Sequence, residues 1–170
     1  MKTTKYKTKQ RTYNLPAVYF TNHGYISVNK LNGNKIRSYI PEQETSKTIN
    51  ICELDKVNII RTEKPLDLNV GDIYTITSPQ KNGKMQFTVV SVNENDLQLK
   101  ILKDGKTDVT GEFSVVDFSA FIKTLEETGG FIVVMEHKGN TTTNTKKIII
   151  GGIVLAVGLG VAIVLKNRNK

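Results

Sequence analysis

The residues that could carry chemistry in this chain are few and lie far apart. The two histidines, His23 and His137, are near opposite ends, and the single cysteine, Cys52, stands in the apolar segment TINICEL. Their spacing matches no zinc site and no Cys–His or Ser–His–Asp arrangement. We therefore predict no catalytic residue, no metal ligand and no cofactor, and we expect Cys52 to be a buried thiol.

Neighbouring carboxylates are the other candidates for acid–base chemistry. Asp67 and Asp72 flank a predicted turn at Gly71, and Glu126 and Glu127 end a predicted helix. Nothing in the sequence indicates the buried cleft that general acid–base catalysis requires. We expect these side chains to be solvated at the surface. A membrane-bound enzyme is therefore only a third alternative for the function.

Charge is distributed unevenly along the 170 residues, whose formal net charge is +8. Residues 1–41 contain eight cations and no acid, and residues 42–145 contain eleven cations and sixteen acids. Residues 146–170 contain five cations and again no acid. The two basic ends therefore need separate explanations.

The C-terminal basic region encloses a long apolar segment. Residues 148–165 form a run of eighteen residues without a polar side chain, and twelve of them are Ile, Leu or Val. As a helix the run is about 27 Å long, close to the roughly 30 Å of a bilayer's hydrocarbon core. A buried core helix or strand is the alternative, which the length, four glycines and cationic flanks disfavour. We predict a transmembrane anchor whose lipid-facing residues include Ile148, Ile153, Leu155, Leu159, Ile163 and Leu165.

Two further features of this segment predict its contacts. The flanking cations are expected to reach lipid headgroups: Lys146, Lys147, Lys166, Arg168 and Lys170. Small residues recur every four positions at Gly152, Ala156 and Gly160, which favours close packing against another helix and a homo-oligomer. The alternative is that glycine is simply common in transmembrane helices.

The rest of the chain is punctuated by turn signals typical of antiparallel strands. Asn32-Gly33, Asn82-Gly83 and Asp104-Gly105 separate segments of alternating apolar and polar residues. A change of phase at Val89-Val90 predicts a β-bulge. The predicted strands are LPAVYFT, YISVNKL, NKIRSYI, TINICEL, KVNIIR, DIYTITS, MQFTVVSV, LQLKILK, KTDVT and FIVVME.

One helix interrupts the strands. Its apolar residues follow the helical period at Phe118, Phe121, Ile122 and Leu125, with Asp117 as the expected N-cap and Gly129 after the last turn. The predicted fold is mainly β, a small antiparallel barrel or sandwich with one short α-helix, plus the C-terminal transmembrane helix. The predicted organisation is a basic extended arm (1–14), a β-rich soluble domain (15–137), a polar linker (138–147), the transmembrane helix (148–165) and a basic tail (166–170).

Part of the β-rich region follows a pattern found in a known class of proteins. The pattern comprises Val70-Gly71-Asp72, Asn82-Gly83, the run from Phe87 to Val92, Leu97 and Leu99. With these residues the segment 68–102 resembles small β-domains of bacteriophage virion proteins. The resemblance implies a structural or adaptor role and supplies no catalytic residue.

The basic N-terminal arm is the soluble feature that most suggests a partner. Its expected contact residues are Lys2, Lys5, Lys7, Lys9 and Arg11. Tyr6 and Tyr13 could stack on bases or lie at a lipid interface. The arm could bind an acidic protein surface or anionic lipid, and nucleic acid is the disfavoured partner. The alternative is a solvated terminus that binds no partner.

These features together predict a non-enzymatic, membrane-anchored structural or interaction protein. Its most concrete form is a minor virion protein that links a capsid shell to the internal lipid membrane of a bacteriophage. The partners would be the bilayer and a neighbouring capsid protein, and the location would be the virion membrane. The alternative is a cellular tail-anchored adaptor in a host membrane, with its N-terminal domain in the cytoplasm.

Overall fold

The computed structural model describes residues 1–78, 83–137 and 146–148, with only the backbone of residues 107–108 and 146–148. This part of the chain is mainly β, with three antiparallel sheets and one α-helix. Its strands are β1 (Thr4–Lys7), β2 (Thr12–Leu15), β3 (Ala17–Thr21), β4 (Gly24–Lys30), β5 (Lys35–Ile40), β6 (Thr45–Asn50), β7 (Ile59–Glu63), β8 (Ile73–Ser78), β9 (Gly83–Asn93), β10 (Asp96–Lys103), β11 (Lys106–Ser114), β12 (Ile132–Glu136) and β13 (Lys146–Ile148).

The N-terminal half forms a five-stranded sheet in the order β6-β5-β4-β3-β7. Alternate residues of β3 enter different cores: Ala17 and Tyr19 pack on one side, and Val18 and Phe20 on the other. Because the side-chain period of a strand is two, this division means that both faces of the sheet are buried.

A hairpin of β1 and β2 covers the outer face of this sheet. Tyr13 and Leu15 of the hairpin share a core with Ile51 and Leu54, which lie on a 3₁₀ helix spanning Ile51–Lys56. The first residues of the chain therefore fold back as two paired strands, where the sequence suggested a single extended arm. They do so because alternate residues of β2 are apolar and can close the sheet's outer face.

The second half forms a six-stranded sheet in the order β11-β10-β9-β8-β12-β13. The predicted bulge is confirmed, because the register of β9 against β10 shifts between Val89 and Ser91. The turn between β10 and β11 places both Asp104 and Gly105 at positive φ, 49° and 79°, as a two-residue hairpin turn requires. In the predicted turn at Asn32-Gly33, between β4 and β5, only Gly33 has a positive φ, 61°. Asn82 of the third predicted turn lies outside the described residues.

The helix α1 (Val115–Thr128) lies between the two large sheets. Phe118, Ile122 and Leu125 pack against the six-stranded sheet, whereas Val116 and Ala120 pack against β3 and β4. The layers therefore run from the hairpin through the five-stranded sheet and α1 to the six-stranded sheet. This sandwich-like arrangement confirms the mainly β fold with a single helix in the described region.

Both ends of α1 have residues suited to capping. Gly129 ends the helix in the left-handed conformation at φ 70°, as predicted. The prediction of Asp117 as N-cap is wrong: Ser114 is the N-cap, and its hydroxyl oxygen accepts the amide proton of Asp117 at 3.1 Å. Val115 and Val116 extend the helix by one turn because both are buried between the layers.

Two other expectations need correction or lie beyond the described region. Cys52 is exposed on the 3₁₀ helix, because the strand predicted over TINICEL ends at Asn50, which caps that helix. Among the described residues, no helix has the length and apolar character needed to cross a membrane. Residues 149–170, which contain most of the predicted anchor, lie outside the described residues.

Removal of the Phe118 ring should show how far the fold depends on α1. Its ring lies 5.2 Å from Tyr74 and 5.5 Å from Phe87, measured between ring centroids. We expect Phe118→Ala to lower the free energy of unfolding by about 3–5 kcal/mol, because a cavity opens under the six-stranded sheet. Chemical denaturation measures this, with Val70→Ala at an exposed position as the control. A loss below about 1 kcal/mol would contradict the central role of α1.

Candidate functional site

The five predicted contact residues of the arm are all exposed on the β1–β2 hairpin or just before it. Lys5 and Lys7 point outward from β1, opposite Asn14 and Thr12 of β2, and all four are exposed. Lys9 and Arg11 are exposed in the turn, and Lys2 is exposed just before β1. We call Lys2, Lys5, Lys7, Lys9 and Arg11 the basic hairpin face. None of these cations belongs to an ion pair of the described residues.

The two tyrosines of the hairpin point the other way. Tyr13 is 3% exposed, and burial together with its hydrogen bond to Asp55 raises the pKa of its phenol. Tyr6 is half-buried against the same core, with the ammonium of Lys30 at 4.7 Å from its ring centroid. Tyr13 is therefore not available for stacking on bases or for a lipid interface, and Tyr6 offers only part of its ring.

Asp55 holds the hairpin against the 3₁₀ helix. Its Oδ1 accepts hydrogen bonds from the Thr8 hydroxyl at 2.7 Å and from the Tyr13 hydroxyl at 2.8 Å. The Thr8 oxygen in turn accepts the backbone N–H of Arg11 at 3.1 Å, which fixes the turn. The turn that carries Lys9 and Arg11 is therefore tied to the folded domain.

A polar cluster at the start of α1 joins the five-stranded sheet to the helix. Both carboxylate oxygens of Asp117 accept hydrogen bonds: Oδ1 from Ser27 and from Asn29 at 2.8 Å, and Oδ2 from Arg37. The carboxylate also lies in the first turn of α1, where the helix dipole favours a negative charge. Its donors and position make Asp117 a link between layers rather than a free base.

Asn95 extends this cluster to the six-stranded sheet. Its side-chain amide donates to the Asn29 Oδ1 at 2.7 Å, and its side-chain carbonyl accepts the N–H of Val116 at 3.3 Å. Tyr39 faces the same region, where burial and the negative charges of Asp117 and Glu44 raise the pKa of its phenol to about 12. The cluster thus connects both sheets through the N-terminus of α1.

A second cluster lies near the other end of α1. Glu63 on β7 accepts hydrogen bonds from Arg61 and from Lys123 of the helix, the latter at 3.4 Å. Burial alone would raise the pKa of Glu63, but the Arg61 hydrogen bond and the Lys123 charge outweigh it and lower this pKa. The Arg61 guanidinium also lies over the Phe20 ring at 4.1 Å. This cluster joins β7 to the helix.

The two carboxylates predicted to lie at the surface beside Gly71 differ in their exposure. Asp67 is exposed, but Asp72 is completely buried, so the prediction of surface solvation is wrong for Asp72. Its Oδ2 accepts the N–H of Asn69 at 2.8 Å, and its Oδ1 lies 2.9 Å from Nδ1 of His137. These partners satisfy the buried carboxylate and fix the loop before β8. In the chain from 1 to 78 and 83 to 137, no three metal-binding side chains come together.

The structure describes only three of the residues predicted to contact the membrane or its headgroups. Lys146, Lys147 and Ile148 form β13, which pairs antiparallel with Val133, Val134 and Met135 of β12. The remaining members lie outside the described residues: Gly152, Ile153, Leu155, Ala156, Leu159, Gly160, Ile163, Leu165, Lys166, Arg168 and Lys170. Their contacts with lipid or with another helix stay predictions.

Loss of the Asp117 carboxylate should loosen the link between the layers. We expect Asp117→Ala to lower the free energy of unfolding by about 2–4 kcal/mol, because the Asn29 amide loses a charged acceptor inside the protein. The Arg37 pair contributes little, since the Arg37 side chain is 41% exposed. Chemical denaturation with Asp96→Ala as an exposed control tests this. Equal stabilities of the two variants would contradict the linking role.

Glu63 should contribute to the loss of stability in acid. A carboxyl group whose pKa is lower in the folded state stabilises the protein above its unfolded pKa of about 4.3. That stabilisation is lost as the pH falls through the folded pKa. We therefore expect Glu63→Gln to make the decline of unfolding free energy below about pH 5 shallower, with Glu112→Gln as the exposed control. Identical declines in wild type and Glu63→Gln would show that the Glu63 cluster contributes nothing.

Comparison of the chain with protein-family models, with curated proteins and with solved structures finds no match. The function of the chain must therefore be inferred from its own residues and geometry.

Proposed function

We propose that the chain is a non-catalytic interaction protein that residues 148–165 hold at a membrane. In its most concrete form it is a minor virion protein that links a capsid shell to the internal lipid membrane of a bacteriophage. The observation that carries the proposal is the segment itself, a run of eighteen residues without a polar side chain that lies between lysines on one side and Lys166, Arg168 and Lys170 on the other.

Three of the four faces of the two large sheets already have apolar partners among the described residues. The inner faces of both large sheets pack on α1, and the outer face of the five-stranded sheet packs on the hairpin and the Ile51–Lys56 helix. A further apolar helix would therefore need a different surface within the domain, or an apolar environment outside it.

Over β9 and β10 the outer face of the six-stranded sheet is a poor surface for such a helix, whereas over β8 and β12 the same face carries the half-buried Ile73, Ile132 and Val134. Gln98, Lys100 and Thr88 lie on this face, since the alternating residues Leu97, Leu99 and Ile101 are buried on the inner side. Covering these polar groups with apolar side chains would remove their hydration without returning hydrogen bonds. A bilayer avoids this cost and matches the length of the segment.

The polar clusters support an interaction role over catalysis. Asp117 and Glu63 each bind donors from a neighbouring layer, and Asp72 is engaged by Asn69 and His137. Each carboxylate is thus part of the connection between elements. The basic hairpin face is instead directed outward and is available to a partner.

The virion form of the proposal rests on the resemblance of residues 68–102 to small β-domains of bacteriophage virion proteins. A cellular tail-anchored adaptor would use the same two features, an anchor and an exposed basic surface. Detergent treatment of purified virions should release the protein with the lipid fraction. Its absence from particles, together with residence in membranes of uninfected cells, would favour the adaptor.

Charges placed in the apolar segment test the membrane anchor. Each arginine near the centre of a membrane helix costs about 2.5–3.5 kcal/mol, so two should offset the several kcal/mol gained on insertion. We expect the full chain to float with neutral vesicles and to resist carbonate extraction, whereas Leu155→Arg with Leu159→Arg should be released.

The matched control adds the same charge outside the apolar segment. Asn167→Arg with Asn169→Arg lies in the basic tail and should stay with the vesicles. Flotation of the Leu155 and Leu159 double variant to the same extent as wild type would contradict the anchor. Extraction of the wild-type chain by carbonate would contradict it as well.

A further inference from the structure

We propose that the basic hairpin face is a docking surface for an acidic protein. This inference rests on the proposed function in one respect only, because it specifies the partner of the interaction protein. The starting observation is that five exposed cations, Lys2, Lys5, Lys7, Lys9 and Arg11, lie on one hairpin of twelve residues or in the residues beside it.

The surface is held in shape by the domain beneath it. Lys5 and Lys7 lie on either side of the half-buried Tyr6 in β1, so their side chains leave the same face of the strand about 7 Å apart. Lys9 and Arg11 follow in a turn that Thr8 connects to Asp55. Cations on an ordered backbone lose less conformational entropy on binding than cations on a disordered tail.

The orientation of the aromatic rings disfavours nucleic acid as the partner. Proteins that bind single strands without sequence preference combine cations with aromatic rings on which bases stack. Tyr13 faces the core with its hydroxyl on Asp55, and Tyr6 packs against the same core. The outward side of the hairpin offers instead Thr12 and Asn14, whose side chains can exchange hydrogen bonds with a polar protein surface.

The layer order disfavours the anchoring membrane as the partner. The hairpin covers the outer face of the five-stranded sheet, while β13, whose last residue is the first of the predicted anchor, lies on the edge of the six-stranded sheet. Two layers, the five-stranded sheet and α1, separate the hairpin from the six-stranded sheet.

Charge complementarity therefore points to a protein surface rich in Asp and Glu. Such a surface would form charge-assisted hydrogen bonds with the lysine ammonium groups and with the Arg11 guanidinium. Opposite charges also accelerate encounter, and the effect declines as salt screens the charges.

Charge reversal on two surfaces with equal numbers of lysine or arginine residues tests the inference. One variant carries Lys5→Glu, Lys7→Glu, Lys9→Glu and Arg11→Glu. The control reverses four exposed lysines of the other sheet: Lys84, Lys100, Lys103 and Lys106. Each change lowers the charge by two, so both variants fall from +8 to a formal net charge of zero.

The probe is a fluorescent poly-glutamate peptide of about 20 residues, added to full chain in neutral phosphatidylcholine nanodiscs at about 0.15 M salt. We expect the hairpin variant to bind it about tenfold or more weakly than wild type, and the control to change by less than about threefold. A third variant with Gln at the same four hairpin positions should also bind more weakly, and circular dichroism confirms that each variant is folded.

Three results would overturn the inference. Equal losses in the two reversal variants would show that only net charge matters. Tighter hairpin-dependent binding of an oligothymidylate would assign the surface to nucleic acid, and hairpin-dependent binding of vesicles containing phosphatidylglycerol, without peptide binding, would assign it to lipid. If the chain does not enter the nanodiscs, the binding of the peptide is measured in buffer instead. Failure of the membrane anchor is thereby distinguished from failure of the docking surface.

Discussion

The fold depends on the burial of α1 on both of its sides. A helix that carries apolar residues on opposite faces has no stable place on the surface of a domain, because one face would remain in water. Here Phe118 and Ile122 pack against the six-stranded sheet, and Val116 and Ala120 contact the five-stranded sheet. The helix therefore joins the two sheets into one domain.

Burial of a helix end creates a second requirement, because its first amide groups have no partner within the helix. Ser114 and Asn95 supply acceptors for these groups, and Asn95 also binds Asn29 on the facing sheet. Asp117 then binds Asn29 from the helix itself. The same residues that satisfy the helix N-terminus thus fix the position of both sheets, which explains why so many polar side chains converge there.

This construction fills the inner faces of both large sheets with residues of the described region. The outer face of the six-stranded sheet carries polar side chains on β9 and β10, among them Thr88, Gln98 and Lys100. In the function that we propose, the apolar segment 148–165 enters lipid, where its eighteen residues without a polar side chain are favourably placed. The basic hairpin face lies on the other outer layer, and in the same proposal it binds a protein partner.

Local features were predictable from the sequence because their signals lie within a few residues. The turn at Asp104-Gly105, the bulge near Val89 and the helix end at Gly129 each depend on the backbone preferences of one or two residues. The packing of the hairpin, the exposure of Cys52 and the burial of Asp72 depend on contacts between distant segments, and no local pattern reports them. The Ser114 cap lies between these two cases. The spacing of Ser114 and Asp117 is a local signal for the start of a helix, but the apolar periodicity begins later, at Phe118, and favoured Asp117 as the cap.

The most direct measurement is the depth of a spin label in the apolar segment of the full chain. In a Cys52→Ser background, Leu155→Cys would place the label near the centre of the segment on its predicted lipid-facing side, and Val90→Cys would place it at a position 44% exposed on β9. In vesicles, power saturation should show high oxygen and low nickel-complex accessibility at position 155, and the reverse at position 90. Access of the nickel complex to position 155, or protection of that label from both reagents, would contradict a location in lipid.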